Sequence, residues 1–268
     1  MGKAGEIDYL RNFGPDGVKF AMEKPFSDPN CWRHFLELGS LMALLPPPPA
    51  RLLDLGCGTG WTSRIFAKRG YDVVGVDIAP DMITAAEEMK RRDPVDNLTF
   101  LVADYEDLNF KDEFHAVVFF ESLHHAVDER LALQKAHQAL RQDGVFLCSE
   151  PGEGHTRSEH TIEAVEKFDV TEKDMPPYHI IEIGQQLGFR EFACYPFAWL
   201  NRVYTPENPL LIANPNHERK GLRRLLRSAR RRILKMTKDD FRTLLIYSRH
   251  LQNLTSTPWV GGITRMVK

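Results

Sequence analysis

A glycine-rich loop separates a short apolar run from a predicted helix. The loop contains Gly56, Gly58 and Gly60 in the spacing G-x-G-x-G, directly after the run Arg51–Leu55. Glycine lets the backbone turn sharply and lets a ligand approach main-chain N–H groups without a Cβ in the way. The next predicted strand ends at Asp77, whose carboxylate can accept hydrogen bonds from ribose hydroxyls. The loop and the acid together predict a nucleoside-binding site at the carboxyl ends of the strands.

Titratable side chains follow the fourth and fifth predicted strands. They are Glu121, His124, His125, Glu150, His155 and His160. Because parallel strands end at one edge of a sheet, these groups are expected near one crevice, where one of them is a candidate general base. Other roles stay open, since a histidine at such a place can also pack at a strand end or lie in a solvated loop.

The same region offers residue types that bind metal ions. Glu150, Glu153, His155 and His160 can converge on an ion if the loop folds back on itself. The two histidines are five positions apart, whereas a zinc-binding helix places them at i and i+4. We therefore expect no bound metal.

Strands and helices alternate from residue 50 onward. Predicted strands cover 51–55, 71–76, 98–102, 115–120, 144–149, 189–197 and 261–267; one predicted helix ends at Gly70, and others cover 79–92, 128–141 and 180–187. Residues 151–177 are expected to form a long connection. This alternation predicts an α/β, Rossmann-like, doubly wound parallel sheet with helices on both faces.

One further region precedes this alternation, and another is inserted into it. Residues 1–49 predict a polar N-terminal arm and a helix that ends at the four prolines 46–49, because proline supplies no N–H and favours an extended spacer. The main domain is expected to span 50–268, with 201–255 as a basic helical insertion before the last strand.

Composition points to a soluble protein of a reducing compartment, and we expect a cytoplasmic location. Of the 268 residues, 43% are hydrophobic, and the four cysteines stand singly without a C-x-x-C pair, which argues against a disulfide framework. No apolar stretch approaches the roughly 20 residues that a membrane-spanning helix needs.

Charge is distributed unevenly along the chain. Residues 1–200 carry 20 Lys and Arg against 33 Asp and Glu, whereas residues 201–268 carry 15 against 4. Within the second part, 219–235 has the pattern of an amphipathic helix with one cationic face. Three interpretations stay open: a solvated helix packed on the domain, docking on an anionic membrane, or binding of nucleic acid. Our hypothesis is that this segment recruits an anionic or lipid-linked acceptor.

The string Leu52-Leu53-Asp54-Leu55-Gly56-Cys57-Gly58-Thr59-Gly60 resembles motif I of class I S-adenosylmethionine-dependent methyltransferases, in particular the type-11-like small-molecule enzymes. The resemblance covers residues 50–150 and implies a seven-stranded sheet whose last strand is antiparallel. It also implies S-adenosyl-L-methionine as the cofactor and a helix before motif I that covers it, with ordinary packing of that helix on the sheet edge as the open alternative.

The resemblance also implies roles for individual residues. The cofactor-binding residues would be Asp54, Gly56, Gly58, Gly60, Asp77, Ile78, Asp104, Tyr105 and Glu121, and the candidate catalytic residues are Glu121, His124, His125 and His155. Asp77 would hold the ribose, Ile78 would pack on adenine, and Asp104 would receive the adenine amino group. Alternatively, Asp54 orients the loop by accepting its N–H groups, and Asp104 is a turn or N-cap residue.

These residues predict methyl transfer to a small molecule, with an oxygen of a saccharide or another metabolite as the expected acceptor. Nucleic acid is a less favoured acceptor, because no Asn/Asp-Pro-Pro-Tyr/Phe motif follows the fourth strand. A non-catalytic nucleoside-binding module is the alternative from another class. A nicotinamide oxidoreductase is disfavoured by the glycine spacing.

Overall fold

Strands and helices alternate from residue 51 onward in the computed structural model, which describes residues 3–196 and 262–268. The helices are α1 (Lys3–Met22), α2 (Cys31–Leu44), α3 (Trp61–Arg69), α4 (Pro80–Arg92), α5 (Glu129–Ala139), α6 (Glu159–Phe168) and α7 (Pro177–Leu187). The strands are β1 (Arg51–Leu55), β2 (Asp72–Asp77), β3 (Leu98–Val102), β4 (Phe114–Phe120), β5 (Leu140–Glu150), β6 (Glu191–Pro196) and β7 (Gly262–Val267). All of these elements belong to one compact unit. The predicted insertion 201–255, with its basic segment 219–235, lies outside the described residues.

The described strands form one sheet of seven strands in the order β3-β2-β1-β4-β5-β7-β6. β1 to β5 pair in parallel, whereas β7 runs antiparallel to both β5 and β6. The chain moves outward from β1 to β3 and then returns to β4 on the other side of β1. Such a reversal opens a crevice at the carboxyl ends of β1 and β4. The predicted fold class is confirmed, including the antiparallel last strand.

The central strands are buried on both faces. In β1, Leu53 and Leu55 pack in a cluster with residues of α5 and α7, whereas Leu52 packs in a second cluster with α2, α3 and α4. Successive side chains of a strand point to opposite faces, so both faces need apolar residues when helices cover both. The helices therefore hold the strand ends, and the loops that follow them, in fixed positions.

The N-terminal segment is helical, which corrects the prediction of a polar arm. α1 contains a break at Gly14 (φ 77°, ψ −178°), directly before Pro15, and this break interrupts its apolar periodicity. The ring of Tyr9 in α1 packs on Phe168 of α6, with centroids 5.1 Å apart. An interrupted pattern gives little sequence signal, and tertiary packing of this kind is what stabilises most helices.

A helix also interrupts the predicted connection 151–177. α6 begins after Ser158, whose hydroxyl accepts a hydrogen bond from the N–H of Thr161 at 3.1 Å, as an N-cap does. No helix within residues 3–196 and 262–268 is long and apolar enough to cross a bilayer.

Candidate functional site

A cavity of about 660 Å³ lies at the carboxyl ends of the central strands. Residues at or just after the carboxyl ends of β1, β2 and β4 line it, among them Gly58, Asp77 and Glu121. α1 and α2 contribute further lining residues, including Tyr9 and Arg33. The cavity therefore occupies the crevice that the strand order creates, and the N-terminal helices border it.

The glycine loop presents open backbone to this cavity. The N–H of Gly56 donates to the carbonyl of Val76 at 2.8 Å, and the N–H of Gly58 donates to Oδ2 of Asp77 at 2.8 Å. Both glycines have a positive φ, 72° and 53° respectively. A Cβ on Gly56 would lie 2.4 Å from the Cβ of Ser122, whereas a Cβ on Gly58 would have nothing within 4 Å. Packing requires glycine at position 56, whereas the space beside Gly58 is open.

Asp54 and Gly60 lie behind the loop and do not line the cavity. Asp54 is buried and accepts hydrogen bonds from the hydroxyls of Thr62 at 2.7 Å and Ser63 at 2.6 Å. Burial raises the pKa of Asp54 to about 6. A Cβ on Gly60 would lie 2.4 Å from the ring of Phe100. Both residues thus fix the loop against α3 and the sheet, and the hydroxyls of α3, rather than the loop N–H groups, are the donors to Asp54.

The other residues predicted to hold an adenosine do line the cavity. They are Gly56, Gly58, Asp77, Ile78, Asp104, Tyr105 and Glu121. Asp77 Oδ1 accepts the N–H of Ala79 at 2.9 Å, and burial raises the pKa of Asp77. Asp104 Oδ1 accepts the N–H of Glu106 at 2.8 Å, while its second oxygen pairs with Lys3. Asp104 therefore stabilises a turn, as its alternative role predicts, and also reaches the cavity.

Glu121 is held by a cation that the sequence does not predict. Arg33 of α2 lies 2.5 Å from Oε1 of Glu121 and 2.6 Å from the carboxylate of Glu37. Glu37 is fully buried, and burial together with the nearby charge of Glu121 raises the pKa of Glu37 to about 7. The ion pair orients the Glu121 carboxylate, so Glu121 is better suited to positioning than to accepting a proton.

His124 is buried against a second buried acid. Its Nδ1 lies 2.7 Å from Oε2 of Glu150, and Glu150 Oε1 also accepts the N–H groups of Ser122 and Leu123. Burial raises the pKa of Glu150 to about 7. Burial lowers the pKa of His124 well below its usual range. His124 is therefore neutral near pH 7, with a fixed ring orientation.

The tautomer of His125 follows from its hydrogen bond. Its Nδ1 lies 2.7 Å from the carbonyl oxygen of Thr171, and a carbonyl only accepts, so Nδ1 carries the proton. Within the described part of the chain, no hydrogen-bond partner of His125 Nε2 is found. Burial lowers the pKa of His125, but the carboxylates of Glu6 and Glu172 outweigh burial and raise it. His125 thus presents a basic nitrogen beside the cavity.

His155 also borders the cavity, next to an acid that sequence reasoning missed. Its Nε2 lies 2.6 Å from Oε2 of Glu172, and His160 lines the same space from α6. Glu153 is instead bonded to the hydroxyl of Tyr178 at 2.7 Å. Glu172 follows a helix rather than a predicted strand, so its position gave no sequence signal.

The strand order, the glycine loop and the acid after β2 define a class I methyltransferase fold. Residues 53–148 match a family model described as "Methyltransferase domain". This part of the chain therefore matches a methyltransferase domain, in agreement with the family predicted from motif I.

Curated relatives agree with this assignment. An uncharacterized methyltransferase, YcgJ, from Bacillus subtilis is 33% identical over 98 residues, which are 36% of this chain and 39% of the relative. A ubiquinone biosynthesis O-methyltransferase from Cereibacter sphaeroides is 34% identical over 115 residues, 41% of this chain and 44% of the relative. The chain thus spans less than half of the length of either relative.

Solved structures share the fold. The phosphoethanolamine N-methyltransferase 2 of Haemonchus contortus, in complex with S-adenosyl-L-methionine, superposes with a TM-score of 0.65 at 22% identity, over 100% of this chain and 60% of that one. The YcgJ protein of Bacillus subtilis superposes with a TM-score of 0.55 at 16% identity, over 88% of this chain and 99% of that one. At sequence identities of 22% and 16%, these structural similarities show the fold of the chain and nothing more.

Proposed function

We propose that this chain is an S-adenosyl-L-methionine-dependent methyltransferase that acts on a small molecule. One observation carries the proposal: a single cavity is lined by the open backbone of Gly58, by Asp77 and by the histidines that follow β4 and β5. The residues suited to a nucleoside and a set of proton-accepting groups therefore share one cavity. The family match over residues 53–148 supports the same conclusion.

The residues that line the cavity suit this cofactor. Asp77 and Asp104 would hold the ribose and the adenine, Ile78 would pack on the base, and Gly58 leaves room for the methionine part. The lining contains more carboxylates than cationic side chains, which favours a positively charged ligand. When bound, the cofactor would supply a methyl group on a cationic sulfur, so that an acceptor lone pair can form a bond to the methyl carbon in line while the C–S bond breaks and the neutral thioether leaves.

The contribution of the chain to the reaction is mostly alignment. Holding two reactants in line can supply up to roughly 7–11 kcal/mol of the barrier reduction. Among the candidate catalytic residues, we assign proton acceptance to His125, because its Nδ1–H is donated to Thr171 and its Nε2 is the basic nitrogen. Glu121, oriented by Arg33, would position the acceptor. His124 and His155 border the same part of the cavity.

An oxygen atom of a small metabolite is the acceptor that we propose. Ubiquinone biosynthesis O-methyltransferases are among the curated relatives, which supports oxygen as the acceptor atom. The cavity volume is typical of small-molecule sites, which measure about 300–1,000 Å³. A saccharide is one such acceptor, and contact of 219–235 with an anionic membrane or a lipid-linked acceptor stays a prediction.

Transfer of a labelled methyl group tests the proposal. The full chain is incubated with methyl-labelled cofactor and fractions of a small-molecule extract, and the labelled product is identified by mass spectrometry. We expect label in a low-molecular-weight product with the wild type, and none with Asp77→Ala, which removes the ribose contact. Label that stays on the cofactor in every fraction, with binding intact, would favour a non-catalytic nucleoside-binding module.

A further inference from the structure

Three metal-ligating side chains from separate loops converge at one end of the cavity. His124 follows β4, His155 follows β5 and Glu172 follows α6. Their ligating atoms all lie within 4.8 Å of one another. From Oε2 of Glu172, Nε2 of His155 is 2.6 Å away and Nε2 of His124 is 3.5 Å away. All three residues line the cavity, so the cluster is open to a ligand on that side.

We propose that His124, His155 and Glu172 bind a divalent first-row transition-metal ion. Two imidazole nitrogens and one carboxylate, with a further position left open, form a donor set that such ions take in proteins. With bonds of about 2.0–2.2 Å, a tetrahedral ion sets its ligand atoms about 3.3–3.5 Å apart. The distance from His124 to Glu172 already has this value, and the distance from His155 to Glu172 needs to widen by only about 0.7 Å.

The surroundings of His124 orient it as a ligand. Glu150 Oε2 lies 2.7 Å from Nδ1, and Glu150 is itself fixed by the N–H of Leu123 at 2.9 Å. When Nδ1–H points to Glu150, the lone pair of Nε2 points to the other side of the ring, toward Glu172. A carboxylate behind a ligating imidazole fixes its tautomer and raises its basicity.

The turn that carries His155 is also fixed. The two oxygens of Asp174 accept the N–H of Gly154 at 2.9 Å and the N–H of Thr156 at 2.8 Å. This turn brings His155 beside Glu172, which precedes Asp174 by two residues. The ligands are thus held by interactions that require no bound ion.

A second group of metal-ligating residues is less suited to an ion. His34, Glu37 and Glu121 also have ligating atoms within 4.8 Å of one another. Arg33 is bonded to both carboxylates of that group, at 2.6 Å and 2.5 Å. The guanidinium of Arg33 already balances the negative charge of these two carboxylates, which a metal ion would need. We therefore assign the metal ion to the cluster that contains Glu172.

The site stands independently of the proposed function, since its three ligands come from this chain and need no cofactor. Its open position faces the cavity, so an oxygen of a small molecule there can complete the coordination. An oxygen-bearing ligand bound in this cavity would therefore be anchored at the metal.

Zinc and cobalt binding by the full chain test the proposal. The wild type, His155→Gln and Glu172→Gln are each titrated with Zn²⁺ in competition with a chromogenic chelator, and with Co²⁺ by visible absorption. His179→Gln is the matched control, because His179 pairs with Glu129 at 3.1 Å and is not among the residues that line the cavity. We expect the wild type and the control to bind alike and to show cobalt d–d bands. His155→Gln and Glu172→Gln should each lose about 100-fold or more in Zn²⁺ affinity. Glu150→Gln, titrated in the same way, should lose about 10- to 100-fold.

Equal Zn²⁺ affinity in the wild type, His155→Gln and Glu172→Gln would overturn the site, as would a wild type that binds no Zn²⁺. Thermal melting of each variant confirms folding, and the two substitutions act on different loops, so one folded variant suffices. Titration of the same samples with S-adenosylhomocysteine separates the two proposals. Nucleoside binding without Zn²⁺ binding would remove only the metal site.

Discussion

Substitution of Gly58 by alanine separates the ligand-binding role of the glycine loop from its backbone strain. Gly58 has φ 53°, and a Cβ there has nothing within 4 Å. The left-handed conformation costs an alanine roughly 1–2 kcal/mol, so Gly58→Ala should lower the free energy of unfolding by about that amount.

The same Cβ would stand in the space that we propose for the bound cofactor. Overpacking by one methyl group costs about 1–3 kcal/mol, which corresponds to a Kd for S-adenosylhomocysteine weakened roughly 5- to 150-fold. Gly188→Ala is the matched control. Gly188 has φ 96°, its nearest atom would be His137 Nε2 at 3.9 Å, and it is not among the cavity-lining residues.

Urea denaturation and isothermal titration calorimetry together check this prediction. Both variants should lose stability, and only Gly58→Ala should lose affinity for S-adenosylhomocysteine. If Gly58→Ala bound that ligand as tightly as Gly188→Ala does, the ligand would not lie beside the loop, and our interpretation of the open backbone would be wrong.

Three further predictions concern stability and the helices that border the cavity. Burial raises the pKa of Glu129, but the hydrogen bond from Lys173 helps to lower it to about 2 overall. Ionised Glu129 therefore stabilises the folded chain fully above the pKa of 4.5 that it has in the unfolded chain, and this stabilisation is lost as the pH falls toward 2. Glu129→Gln should cost about 1 kcal/mol at pH 7, after allowance for solvent screening, and less at pH 3; urea midpoints that differ equally at both pH values would contradict this. Arg33→Ala leaves the buried Glu37 without its partner and should lower the free energy of unfolding by about 3 kcal/mol. In a double-mutant cycle, adding Glu37→Gln should restore part of that stability. Strictly additive losses would refute the coupling between the two residues. Phe168→Ala removes the ring on which α1 packs and should lower the free energy of unfolding by about 3 kcal/mol. The same variant should release S-adenosylhomocysteine faster in stopped-flow measurements. An unchanged dissociation rate would show that α1 does not retain the ligand.

The sheet and the glycine-loop end of the cavity were predictable from sequence because their signals are local. An apolar strand, the glycines of the loop and Asp77 lie within a short stretch, and the period-two and period-3.6 patterns around them are regular. The same argument placed His124 and His125 at a strand end. Asp54 and Gly60 pack behind the loop and are not among the residues that line the cavity, and the motif does not encode this difference, because it records only which residues occur together.

The remaining part of the site depends on tertiary structure. α1 was missed because the break at Gly14 hides its periodicity, and Glu172 was missed because it follows a helix rather than a strand. Arg33 reaches Glu121 across 88 positions of the chain, and no local pattern encodes such a pair. From the sequence we expected no bound metal, and the proposed donor set shares only His155 with the residues weighed there, because Glu172 and His124 are brought beside His155 by the fold.

Calorimetric titration of the full chain with S-adenosylhomocysteine, and separately with NAD, tests the central claim most directly. The geometry of Gly58 and Asp77 predicts one saturable site per chain for S-adenosylhomocysteine, with no comparable heat for NAD. Saturable binding of NAD, or no heat from S-adenosylhomocysteine at millimolar concentration, would contradict the account.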